Sequence, residues 1–303
     1  MKPDIAKSRQ RLLRSHQTLA IEIHRSAQHL LADMRDRLAL QSVADHESLS
    51  EIVHQTRVDS KRLRALWRLI KPGLATSDYR SLEQLSKGLA KPLGVHRDAQ
   101  VMQETLASVS IDLPSEIGDR LQQGLRQRLG DASAVNRTSL SEVMQSLDQL
   151  HGTLSELNLQ TLCKRDLRKG LKKSCRKGER LAHEALKHHA MEPMHQWRKW
   201  VKLLLFQSDW LLDEDAPKWI PRLKGLGSAL GQLHDLDVLT IRLEEDEEAF
   251  EREDLERLRA RISVSRDTLL TQIHDLADEV YMRGAGRRAR QLYRRWQHKS
   301  SKD

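Results

Sequence analysis

The chain has 303 residues, 38% hydrophobic and 31% charged, with 14 Gly and 7 Pro. That balance suits many solvated helices better than a sandwich or barrel. Lys and Arg number 52 against 43 Asp and Glu, and the resulting charge of +9 favours anionic partners. The longest apolar runs, of the Leu203 to Phe206 kind, fall far short of the roughly 20 residues a bilayer span needs, so no membrane partner is expected.

The N-terminus, MKPDIAKSRQRLLRSH, is charged throughout and carries no apolar signal-peptide core, so the expected location is cytoplasmic. The first strongly patterned helix is VHQTRVDSKRLRALWRL, Val53 to Leu69. At about 100° per residue, His54, Arg57, Lys61, Arg64 and Arg68 fall in one stripe under about 90° wide. Val58, Ala65, Leu66, Leu69 and Ile70 lie beside that stripe, so the basic residues should line a crevice and not point into open solvent. Pro72-Gly73 ends the helix. A shorter apolar helix is then expected to close at Leu93-Gly94 and another to open at Asp98, with Pro114 marking the next break.

The second half begins with a long basic helix in KRDLRKGLKKSCRKGER, where nine Lys/Arg stand against Asp166 and Glu179. Arg165, Arg168, Lys169, Lys172, Arg176 and Arg180 share a face of about 120°, and continued through His183 to Lys187 the stripe would run about 33 Å, a length suited to a linear polymer. Cys163 and Cys175 on this helix would stand about 18 Å apart and cannot bridge. Two unpaired thiols suit a reducing compartment. MHQWRKWVKLLLFQSDWL follows, Met194 to Leu211, with Pro193 just before it and Pro217 after it. A helix closing at Leu230-Gly231 and another opening at Asp235 complete the unit. The acidic run Glu244 to Glu256 is expected to be a solvated helix face. Arg283, Arg287, Arg290 and Arg294 form a last stripe beside Tyr281, Tyr293 and Trp296, where Gly284 and Gly286 weaken the helix.

The same unit is thus written twice. His54, Arg57 and Lys61 match His195, Arg198 and Lys202; Lys87-Gly88-Leu89 matches Lys224-Gly225-Leu226; LGVHRDAQV matches LGQLHDLDV. With no stretch of sustained β alternation, the expected fold is all-α, two antiparallel helical bundles related by internal pseudo-twofold symmetry, residues 1–145 and 146–303. Stacked cations at helical spacing repel one another unless an anion offsets them, and Arg forks and Lys point charges both suit phosphate oxygens. In the second His helix Leu205 and Asp209 replace Arg64 and Arg68, so the first half is expected to grip an anion harder.

VHQTRVDSKRLRALWRL, LGVHRDAQV, GLKKSCRKGERL leading into MHQWRKWVK, and LGQLHDLDV together resemble the CHAD family, the conserved histidine α-helical domain, along nearly the whole chain. The resemblance implies two four-helix bundles with internal symmetry, a basic central cavity and binding of inorganic polyphosphate. It carries the family's basic positions onto His54, Arg57, Lys61, Arg62, Arg64, His195, Arg198 and Lys202, and onto Lys172, Lys173, Arg176 and Lys177. This sequence departs from the pattern at Leu203, Leu204 and Leu205, where basic residues usually continue, at Cys175, where Tyr is common, and at Gln100, often an acid. Many relatives carry a triphosphatase domain on the same chain; nothing here corresponds to it.

The expected function is therefore non-enzymatic polyphosphate binding without a cofactor, in company with polyphosphate granules if that anion is the ligand. The alternative is a nucleic-acid binder, since the same stripes fit a phosphodiester backbone, although 4% aromatic residues leave few stacking platforms. The 14 histidines show no HExxH or finger spacing, so no metal is expected. His96-Arg97-Asp98 lacks the Asn that a kinase loop needs five residues after the Asp, and Asp98 and Asp235 are expected instead to cap a helix or orient a stripe cation.

Overall fold

Apolar residues at helical spacing turn nearly all of the described chain into α-helix, and no strand occurs among the described residues. The computed structural model describes residues 13–14, 18–40, 46–130, 137–212, 216–281 and 284–298. Helix α1 (Leu19–Ala39) buries Ile23, Ala27, Leu30, Leu31, Met34 and Leu38, the one-sided set of an amphipathic helix. α2 (His46–Ile70) buries Leu63, Ala65, Leu66, Trp67, Leu69 and Ile70 around more than half its circumference, because other helices cover it on several sides. Pro72 draws its end into a 3-10 turn, Lys71–Gly73.

α3 (Thr76–Gly88), α4 (Gly94–Val109), α5 (Ser115–Leu129) and α6 (Arg137–Glu156) follow. Of these, α3 and α6 close a ring with α1 and α2, each helix packed on its two neighbours. α7 (Lys164–His188), α8 (Met191–Leu211), α9 (Trp219–Glu245) and α10 (Arg252–Tyr281) pack in a second such ring, and α11 (Ala285–His298) lies across α7 and α8. The expected boundary at residue 145 falls inside α6, which runs unbroken to Glu156 and packs on α1 and α3.

The helix breaks differ from the sequence expectation. In the first half the turn Lys91–Leu93 precedes Leu93-Gly94, and α4 opens at Gly94, not at Asp98. In the second half no break occurs: α9 runs straight through Leu230, Gly231 and Asp235. Pro92 is the physical reason, for it has no N–H to donate and collides with the preceding turn, whereas the aligned position is Ala229. Freed by that break, α4 leaves α3 and packs on α9 and α10.

The acidic run is solvated apart from half-buried Asp246 and buried Asp254, but it is not one helix face. It spans the end of α9, the turn Glu247–Ala249 and the start of α10. Its carboxylates meet cations from several helices: Asp254 takes Nε and Nη2 of Arg120 at 2.8 and 2.9 Å, and Glu248 takes Arg128 at 3.0 Å.

The two His helices, α2 and α8, pack directly on each other. Gln207 Nε2 donates to the carbonyl of Ala65 at 3.3 Å, and Trp210 Nε1 to that of Arg62 at 2.9 Å. Other buried indoles are likewise satisfied, Trp67 by Ser86 Oγ at 2.8 Å and Trp296 by the Leu13 carbonyl at 2.7 Å.

Candidate functional site

Because α2 and α8 pack side by side, the basic stripe of one faces that of the other. Arg57 donates to the Leu93 carbonyl at 2.9 Å and to Asp98 Oδ1 at 3.3 Å; Arg64 donates twice to Glu83 Oε1, at 3.2 and 3.0 Å. Lys61 lies between them on the same stripe, where the charges acting most strongly on it are positive: Arg57, Arg198, Lys202 and Arg64. Burial first, and those cations next, pull its ammonium down to about 8. By surface area Lys61 is exposed. The side chain is ringed by protein atoms yet still wetted.

The second half supplies half-buried Arg198 and Lys202 from α8. Burial lowers the pKa of both, and Asp235 of α9 opposes the shift in both. The Nε of Arg198 is buried and has no hydrogen-bond partner, a donor left over after the protein's own acceptors are assigned. Asp98 thus meets Arg57, and Asp235 acts on Arg198 and Lys202; both lie inside helices and cap neither.

One turn before Arg198, His195 sets its Nδ1 3.1 Å from Nδ1 of His234 on α9, the ring centres 4.2 Å apart. Both rings are half-buried. Burial is the largest cause holding both imidazoles below their usual range, His234 at about 4, with Arg198 and Lys199 adding to it.

The remaining candidate residues sit elsewhere. Arg62 donates to Asp59 at 2.8 Å, Arg37 reaches the other oxygen of that fully buried carboxylate at 3.0 Å, and Arg62 also lies over the Phe206 ring. Arg68 donates to the Tyr79 hydroxyl at 3.1 Å and lies 5.0 Å from the centre of the Trp200 ring. Both therefore brace helices. His54 is half-buried on α2. Arg165, Arg168, Lys169, Lys172 and Arg176 of α7 line, with Arg290 of α11, a cleft of about 480 Å³. Lys173 is exposed and Lys177 half-buried beside this row, and Arg287 and Arg294 are exposed on α11. Arg168 lies over Tyr293 and Lys164 over Trp296. Arg283 lies outside the described residues.

A family model described as "CHAD domain" matches residues 25–244. The chain belongs to the CHAD-domain family. No curated protein matches it in sequence. Among solved structures it is similar to the "Crystal structure of the CHAD domain from the plant Ricinus communis", with a TM-score of 0.58 and 16% identity over 93% of this chain and 94% of that one. At that identity the likeness speaks to fold alone.

The matched segment takes in α2, α7, α8 and nearly all of α9, and ends before α10 and α11, so Arg290 lies beyond it. Four residues of the cluster were not named from sequence as binding residues: Glu83, Lys199, Lys224 and His234. Lys224 acts on Lys202, and Glu83 holds Arg64. His234 had a signal, since it aligns with Arg97 between the two LG segments. Glu83 had none, because its partner lies 19 residues away on another helix. Among the described residues no group of three or more His, Cys, Asp or Glu could hold a metal ion, and no helix is long and apolar enough to cross a membrane.

Proposed function

We propose that this CHAD domain binds inorganic polyphosphate without turning it over, in a basic groove whose centre is the α2–α8 cluster. The observation that carries the proposal is Lys61: an ammonium among Arg57, Arg64, Arg198 and Lys202, its proton made labile by burial first and by those cations next, beside an Arg198 Nε with no partner. A site that keeps cations together at such cost is complementary to a dense anion. Phosphate oxygens would supply both the missing negative charge and the missing acceptor.

The wider arrangement belongs to the same proposal. Two bundles related by a pseudo-twofold axis would put α2 and α8 at their shared centre, and the α7 row with Arg290 would extend the groove for a linear polymer. The first bundle then reaches the end of α6. Binding in the cytoplasm, beside polyphosphate granules, follows if this ligand is the natural one.

The decisive experiment is a titration of the full chain at fixed salt with orthophosphate, tripolyphosphate, long-chain polyphosphate, RNA and DNA. Affinity rising with polyphosphate chain length, and exceeding that for either nucleic acid, is the expected result. Equal affinity across the three phosphates would overturn the groove, and tighter binding of RNA or DNA would make nucleic acid the ligand. Incubation with polyphosphate and Mg²⁺ should release no phosphate above background; release that vanishes on changing Asp98 or Asp235 would overturn the non-enzymatic assignment.

A further inference from the structure

The second half of the cluster holds a pair of groups that the first half's sequence lacks. A 3.1 Å approach of His195 Nδ1 to His234 Nδ1 is a hydrogen bond with a single proton between the two nitrogens, one ring donating and the other accepting. Both rings are then neutral. A further proton would set two N–H donors against each other beside fixed positive charge, so the free protein resists it.

The charges around the pair are known from each side. On α8, Arg198 and Lys199 act against protonation of both rings and Glu192 favours it. On α9, Asp235 adjoins His234 and acts on Arg198 and Lys202. From α10, Arg266 is taken up by Asp237, one turn along α9. From α4, Asp98 holds Arg57, and from α2, Lys61 faces Arg198. The balance is positive, and Arg198 keeps a buried Nε with no acceptor of its own.

We propose that this subsite takes up its anion together with a proton: a phosphate oxygen docks at Arg198, and the His195–His234 pair becomes protonated as it does so. The proposal rests on the polyphosphate assignment above and adds its regulation. The incoming negative charge cancels the repulsion from Arg198 and Lys199, and the ring released from the shared hydrogen bond turns an N–H toward a phosphate oxygen. By linkage, whatever protonates the pair tightens the anion, and the anion in turn raises the pair's proton affinity. The aligned residue in the first half is Arg97, so the sequence does not repeat this pair of imidazoles there.

The test is calorimetric titration of the full chain with long-chain sodium polyphosphate at pH 7.5, 6.5 and 5.5, in two buffers of different ionisation enthalpy at each pH. Internal phosphates stay ionised throughout, so protons taken up are taken up by the protein. The expected result is uptake of about one proton per site near pH 6, with affinity roughly five- to tenfold higher at pH 5.5 than at 7.5. His234→Asn and, separately, His195→Asn keep a polar group that does not titrate; in each the protons taken up per anion bound should fall to a small fraction of the parent's and the pH profile should flatten, whatever the change in affinity at pH 7.5. Binding by the parent with no pH dependence and no buffer-dependent heat would overturn the coupling, as would variants that take up as many protons as the parent. No binding at any pH would overturn the polyphosphate assignment, and the coupling with it.

Discussion

Gly170 of α7 sits directly on the main chain of α2 at Leu69: a β-carbon built on it would lie 1.8 Å from the Leu69 carbonyl oxygen. Only a hydrogen fits there. Gly170→Ala should therefore force the two helices apart, at about 2 to 3 kcal/mol or more, the upper range for overpacking a tight interface. Urea denaturation would show a lower midpoint with an unchanged slope. A midpoint equal to the parent's would mean that α7 and α2 are not so closely packed.

Charge removal should rank by what each cation already holds. Arg57 and Arg64 are engaged with Asp98 and Glu83 in the free protein, whereas the charges that act most strongly on Lys61 are all positive and Arg198 keeps a buried donor without a partner. The pair Lys61→Gln with Arg198→Gln is expected to weaken polyphosphate binding more than Arg57→Gln with Arg64→Gln, at about 1.5 to 3 kcal/mol for each charge-assisted hydrogen bond to phosphate that is removed. It should also lower the slope of log affinity against log salt by roughly one to two. Equal weakening by the two pairs would show that the α2–α8 centre is not privileged.

Lys61 also sets a signature in alkaline stability. Its folded pKa of about 8 lies below the unfolded 10.5, so between those values the unfolded chain binds more protons and stability rises with pH. Below about 8 both states are charged and the folded one bears the repulsion. Lys61→Gln should melt higher than the parent at pH 7 and lose the parent's rise in melting temperature from pH 8 to 10. A parent whose melting temperature shows no such rise relative to the variant would contradict the crowding around Lys61.

The thiols should separate cleanly. Cys175 is buried on α7, and burial pushes its pKa up to about 12; Cys163 is exposed, its Sγ 3.1 Å from Asp166. Iodoacetamide should label one thiol of the native chain, at Cys163, and both after unfolding. Native labelling of Cys175, read by peptide mass, would show that α7 opens.

How much of the fold and site is legible in the sequence depends on how local the physics is. The α2 stripe is readable because His54, Arg57, Lys61 and Arg64 recur at one helix's own period, and the helical class because apolar residues do the same throughout. Which residues of that stripe remain available is not readable, since Asp98 claims Arg57 and Glu83 claims Arg64 from other helices. The facing of Lys61 and Arg198 needs α2 and α8 to pack together, a relation across 137 positions that one helix's pattern cannot encode. The unequal helix breaks, by contrast, have a local cause in Pro92, which stands where the second copy has Ala229.

The hydrogen bonds from Gln207 and Trp210 of α8 to the carbonyls of Ala65 and Arg62 tie side chains of one helix to fixed points on the backbone of the other. Neither helix can then slide or turn against its neighbour without breaking a buried bond. The spacing of the cations mounted on them is a rigid gauge, set when the chain folds. When a flexible polyanion meets such a gauge, nearly all of the ordering falls on the polymer, since the protein has little freedom of its own to surrender.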